Sequence, residues 1–81
     1  MKARVVVTLK KSVLDPQGLA VTRALGSLGF QEVKDVRLGK VIELDLDVKD
    51  EAEARKRISE MCEKLLANTV IEEYRVEEIR R

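Results

Sequence analysis

An α+β fold, with two helices packed on one face of an antiparallel sheet, is what this 81-residue sequence predicts. Three observations carry the prediction. Apolar residues alternate with polar ones at 3–9 and again at 42–48, the period of half-buried strands. Two stretches repeat apolar residues at helical spacing, and each opens on an aspartate. The elements run β-α-β-β-α-β, which fits helices laid on an antiparallel sheet.

The first strand rests on Ala3, Val5, Val7 and Leu9 facing one way, with Lys2, Arg4, Thr8 and Lys10 facing the other and Val6 as the exception. After a loop, Asp15-Pro16 reads as a helix start. The carboxylate can accept from free first-turn amides, and Pro suits the first helical position because its absent N–H would be unpaired anyway. Val21, Ala24, Leu25 and Leu28 form the stripe of this helix, and Gly29 is placed to end it in a left-handed conformation.

Residues 30–48 read as two strand pieces divided at Gly39-Lys40. Val36 and Leu38 mark the first; Ile42, Leu44, Leu46 and Val48 mark the second. A hairpin is expected, closed by a three-residue loop or a bulge. A two-residue turn would put the two apolar sets on opposite faces. Asp50 opens the second helix with Glu53 three residues on. Ala54, Ile58, Met61, Cys62 and Leu65 form its stripe, and Asn68 is expected as a left-handed stop. Residues 70–79 read as the last strand, around Tyr74 and Val76.

Length and composition allow one domain, residues 1–81. A chain this short buries only about 60–65% of the surface its unfolded form exposes, leaving little room for a deep cleft. A hydrophobic fraction of 44% beside 38% charged residues suits a folded domain. Sixteen basic against fifteen acidic residues leave no field that attracts nucleic acid or an anionic membrane. One Phe, one Tyr and no Trp cannot build a base-stacking sheet. Neither nucleic acid nor membrane is therefore expected as a partner. No apolar run approaches the length of a secretory signal core or a membrane span. A single cysteine, Cys62, forms no internal disulfide, and a cytoplasmic location is expected.

The chemistry-bearing residues are few. Without His there is no imidazole base, no His-containing triad and no His-ligated metal. Cys62 lies on an apolar stripe, where a thiol behaves as a small hydrophobe. Glu43, Asp45 and Asp47 form an acidic row that reads as a solvated or ion-paired strand face. Lys10 and Lys11 precede a helix N-terminus, but Asp15 and Pro16 block the amides an anion would use. Arg55, Lys56 and Arg57, with Glu53–Arg57 and Glu60–Lys64 spaced i, i+4, read as a solvated helix face. The cationic tip around Arg37, Gly39 and Lys40 has two readings: a contact site, or a turn kept soluble by charge. Val6, Val41, Ile71 and Ile79 fall off the core parity, and an uncovered sheet face with such residues predicts a homo-oligomer.

Five stretches then stand together: Val13-Leu14-Asp15-Pro16-Gln17-Gly18, Ala24-Leu25-Gly26-Ser27-Leu28-Gly29-Phe30, Val33-Lys34-Asp35-Val36-Arg37-Leu38-Gly39-Lys40, Ile42-Glu43-Leu44, and Met61 to Asn68 with Val70-Ile71-Glu72. In this order they closely resemble PurS, the small subunit of phosphoribosylformylglycinamidine synthase, over Arg4 to Glu77. The resemblance implies a subunit of an enzyme that uses glutamine, ATP and Mg to convert formylglycinamide ribonucleotide to formylglycinamidine ribonucleotide. It implies a bridging role, in which the small chain holds a glutaminase subunit against a large synthetase subunit and protects ammonia transfer. It further implies that this chain binds no cofactor and is not a catalyst by itself, and that it forms a homodimer or homotetramer. Asp15, Pro16, Gln17, Gly18, Arg37, Gly39, Lys40 and Asn68 are the interface residues it suggests. A small-ligand regulatory module of the ACT type, with the same element order, is the alternative.

Overall fold

The computed structural model describes all 81 residues, Met1–Arg81. Strand β1 (Lys2–Leu9) is followed by helix α1 (Pro16–Ser27), strand β2 (Gly39–Asp45), helix α2 (Glu51–Met61) and strand β3 (Glu72–Arg80). The strands form one antiparallel sheet ordered β2-β1-β3, so β1 is central. The α+β class and the antiparallel sheet are as expected. No helix is long and apolar enough to cross a membrane.

Alternation in β1 is realised directly. Ala3, Val5 and Val7 are buried and join Ile58, Cys62 and Ala67 as the core. Ile42, Leu44, Leu46, Leu66, Tyr74, Val76 and Ile79 pack around them. The branched residues line one pleat face, and α2 covers them with Ala54 and Ile58. Helix α2 is capped by Asp50, whose carboxylate accepts from the Glu53 amide at 3.2 Å. Its outer face carries the pairs Glu51–Arg55 and Arg57–Glu60 rather than Glu53–Arg57 and Glu60–Lys64. Pairs this exposed are worth little in any register.

The expected hairpin does not form. Residues 31–38 belong to no strand, and the sheet has three strands instead of four. The backbone that would have joined a ladder serves α1 instead: the Leu38 amide donates to Asp15 at 2.8 Å. Helix α1 is the second departure. No α1 residue belongs to the core cluster, so only α2 covers the sheet. Leu28 is 73% and Phe30 50% exposed. The chain measures 49 × 26 × 14 Å, with a radius of gyration of 15.9 Å. A compact domain of this length would have a radius of about 12 Å. Gly29 ends α1 at φ 101°, as expected.

Three smaller corrections have local causes. After α2, Cys62–Leu66 forms a π-helical turn, closed by Ala67 N–H to the Cys62 carbonyl at 3.1 Å. The wider turn packs Leu66 against the core and swings Leu65, expected on the stripe, out to 83% exposure. Asn68 is not left-handed, since only Gly29 has positive φ. Its side chain accepts from the Val70 amide at 3.2 Å, a local turn that leads into β3. Within β3, the pairing slips between Arg4–Glu78 and Val5–Val76, leaving Glu77 unpaired. This bulge reverses the parity beyond it, so Ile79 pairs opposite buried Ala3 and faces the core, not the open face.

Cys62 is fully buried, and desolvation, with the Glu63 charge beside it, pushes its thiol up. In the native protein the thiol should react with a disulfide reagent only as fast as the chain opens, and at once in urea. Prompt native labelling would contradict the packing. Cys62→Ser should cost about 1–3 kcal/mol through an unpartnered hydroxyl, with Cys62→Ala milder.

Candidate functional site

A cleft of about 320 Å3 opens where the end of β1, the start of α1 and the start of β2 meet. It is lined by Val7, Thr8, Leu9, Asp15, Gln17, Leu38, Gly39, Lys40 and Glu72. Four of the interface residues suggested by sequence, Asp15, Gln17, Gly39 and Lys40, lie in this lining, and Pro16 and Gly18 adjoin it on α1. Arg37 precedes Leu38, and Asn68 reaches the cleft through Glu72, whose carboxylate accepts from the Asn68 amide at 2.7 Å. The eight residues therefore gather at one end of the molecule.

Asp15 organises this end. It is buried, and its two carboxylate oxygens accept from different segments: one from the Gly18 amide at 2.9 Å, the other from the Leu38 amide at 2.8 Å. The first bond caps α1; the second ties the helix start to the entry of β2. Gly18 is required here, because a Cβ would overlap the carbonyl oxygen of Val36. Arg37 turns back and donates to the Val13 and Lys11 carbonyls at 2.6 and 3.0 Å. Its guanidinium braces the loop before α1 rather than projecting as a free tip. The cationic hairpin tip is thus corrected on two counts: there is no hairpin, and of its two cations only Lys40 is free of partners.

The Gly18 and Leu38 amides, with Arg37 beside them, hold the Asp15 carboxyl below its ordinary value of 3.8, against the opposing effect of desolvation. A depressed carboxylate stabilises the fold fully above its unfolded value. That contribution is lost as pH falls from 3.8 through the lower folded value. Asp15→Asn should be less stable at neutral pH and lose less stability on acidification. Acid-unfolding curves of equal slope for the two proteins would contradict this.

The acidic row is dispersed. Glu43 and Glu78 flank Arg4 at 3.6 and 3.8 Å, and Asp45 meets the N-terminal ammonium at 4.0 Å. These ion pairs lie on the sheet face opposite α2, where Val6 and Val41 are cross-strand neighbours. Tyr74 sits on the other face, and the Glu63 carboxylate beside it, with desolvation, raises its phenol. Sequence reasoning missed Thr8, Leu9, Leu38 and Glu72 as parts of the cleft. Nothing local signals that Asp15 and Leu38 meet.

A three-stranded sheet covered by one helix, a helix left projecting and a polar cleft braced by backbone hydrogen bonds define a small, open α+β domain. Residues 2–80 match the family model of PurS, described as phosphoribosylformylglycinamidine (FGAM) synthase, and the chain belongs to that family. It is 57% identical over 76 residues to the PurS subunit of Bacillus subtilis, covering 94% of this chain and 89% of that one. Among solved structures it is similar to the PurS subunit of Thermotoga maritima, with a TM-score of 0.87 at 36% identity, covering 96% and 90% of the two chains. It is also similar to a chain of the PurLQS structure from Thermotoga maritima, with a TM-score of 0.84 at 33% identity, covering 98% and 99%.

Proposed function

We propose that this chain serves as the PurS subunit of a phosphoribosylformylglycinamidine synthase in purine biosynthesis, joining a glutaminase subunit to an ATP-dependent synthetase subunit. The observation that carries this reading is the family match over residues 2–80. It favours assembly over an ACT-type regulatory module, whose β-α-β-β-α-β order this three-stranded chain does not adopt. Ammonia released by a glutaminase escapes or is protonated unless the consuming site is held in register. A subunit that fixes the geometry of two larger ones meets that need without chemistry of its own. ATP and Mg then belong to the synthetase, catalysis to the two larger subunits, and the assembly to the cytoplasm. Reconstitution tests the reading: glutamine-dependent product formation by the two larger subunits should require this chain. An unchanged rate without it would overturn the proposal.

The same reading includes a homodimer. Two unfinished surfaces support it. Helix α1 and the turn that ends it present Leu19, Leu28 and Phe30 to solvent. Beside α2, a groove of about 350 Å3 lined by Leu44, Met61, Leu65 and Leu66 leaves the β2 side of the core face open. A second copy that laid its α1 in this groove, and received the first copy's helix in return, would supply the missing second helix of each sheet. Sedimentation of the wild type should give a dimer, and Leu28→Glu should shift it towards monomer with its secondary structure intact. A wild type that sediments at 9.2 kDa would overturn this.

A further inference from the structure

We propose that the polar hinge at the root of α1, built from Asp15, Gly18, Arg37 and Leu38, keeps the helix off its own sheet and so assigns the groove beside α2 to the helix of a second copy; a loosened hinge lets the chain close on itself as a monomer. The inference rests on the dimer reading above and names the device that decides between exchange and closure.

Neither chain length nor polarity explains why α1 projects. Residues 10–15, between β1 and α1, reach about 20 Å when extended, and packed layers stand only about 10 Å apart. The return through residues 28–38 is longer still. Leu19, Leu28 and Phe30 are exposed on the helix and its closing turn, and the open groove offers Leu44, Met61, Leu65 and Leu66. The hydrophobic effect alone would draw the helix back over its own β2. Something in the chain opposes that movement.

The bonds between the two segments that flank α1 oppose it. Asp15 accepts from the Leu38 amide at 2.8 Å while it caps the helix through the Gly18 amide at 2.9 Å. Arg37 donates to the Val13 and Lys11 carbonyls at 2.6 and 3.0 Å. The Val36 carbonyl lies against Gly18, where not even a methyl group fits. The loop is also pinned to the sheet at its root, where the Lys10 amide donates to the Ile71 carbonyl at 2.8 Å. Leu38 is held by β2, which begins at Gly39, whereas Asp15 turns with the helix. Swinging α1 over β2 would therefore break the Asp15–Leu38 bond and pull Lys11 and Val13 away from Arg37. In a partner's groove the same apolar surface is buried with all of these bonds intact. Closure and exchange gain like contacts, so the hinge bonds are the difference between them.

The test is sedimentation and small-angle scattering of the full chain over a range of concentrations. The variant is Asp15→Ser with Arg37→Ala: Ser still caps α1 but offers one oxygen in place of two, and the Arg37 brace is gone. Losing one hydrogen bond shifts a two-state equilibrium by up to about tenfold. A dimer holds two hinges, so its dissociation constant should rise by about a hundredfold. The monomer released should be compact, with a radius of gyration of about 12 Å rather than the 15.9 Å of the open chain. Lys56→Ala, which removes one charge from the exposed face of α2, should sediment as the wild type does. Circular dichroism checks each fold, and the single variants Asp15→Ser and Arg37→Ala carry the test if the double variant fails to fold. A folded hinge variant that dimerises as tightly as the wild type overturns the inference and leaves the dimer reading intact. A released monomer that stays extended overturns it too, because the helix has not folded back. So does an equal shift in Lys56→Ala, by showing a charge effect. If the wild type is itself a monomer, the dimer reading falls, and this inference with it.

Discussion

Ile58→Ala should remove about 2–5 kcal/mol of stability, the largest loss expected from any single truncation in this chain. Ile58 is fully buried and meets Val5, Val7 and Cys62 in the only helix–sheet layer of the protomer. The cost has two parts: the apolar transfer that is lost and the cavity left under α2. Domains are stable by about 5–15 kcal/mol in all, and one this short falls towards the lower end. The variant should therefore be partly unfolded at room temperature or sharply sensitive to urea. Ile58→Val, which keeps most of the volume, should cost only about 0.5–1.5 kcal/mol. Urea titration at one fixed protein concentration checks both, because self-association would otherwise shift the midpoint. An Ile58→Ala midpoint within error of the wild type would mean that α2 is not packed as described.

Gly18→Ala should destabilise the chain, although Ala exceeds Gly in helix propensity by about 1 kcal/mol. The added methyl overlaps the Val36 carbonyl oxygen and stands 3.1 Å from Asp15 Cγ. Neither neighbour can retreat freely. Val36 leads directly into Arg37, bonded to the loop before α1, and Leu38, bonded to the N-cap Asp15, which holds two amides. Relief requires the 31–38 segment to lift off α1, at an overpacking cost of about 1–3 kcal/mol. The propensity gain and the overlap have opposite signs, and the coupled hydrogen bonds decide for the overlap. Hydrogen exchange at the Leu38 amide should accelerate. A Gly18→Ala protein as stable as the wild type, with Leu38 still protected, would contradict the account.

These two residues also show what could be read in advance. Ile58 was legible because its neighbours on the stripe, Ala54 and Cys62, recur at helical spacing, and period alone assigns them to a buried face. Asp15 was legible as a cap because capping is a contact across three residues. Its second role was not, because the Leu38 amide lies 23 residues away. The same distinction explains Val36 and Leu38. Their alternation is that of a strand, but an alternating segment pairs only if its amides are free, and here Asp15 competes for one of them. Ile79 was misassigned for a related reason. A bulge at Glu77 shifts its parity, and period two carries no sign of a bulge.

By itself, then, the sequence determined the elements set by local chemistry: the alternation of β1, the Asp15 and Asp50 caps, the Gly29 stop and the buried stripe of α2. Its motif series also pointed to the PurS family. Only the tertiary structure decided that the sheet has three strands, that α1 stands away from the core, that Arg37 braces a loop, and that Asp15, Lys40 and Glu72 line one cleft. Each of these depends on which distant group reaches a backbone amide or carbonyl first, and neither periodicity nor composition encodes that competition.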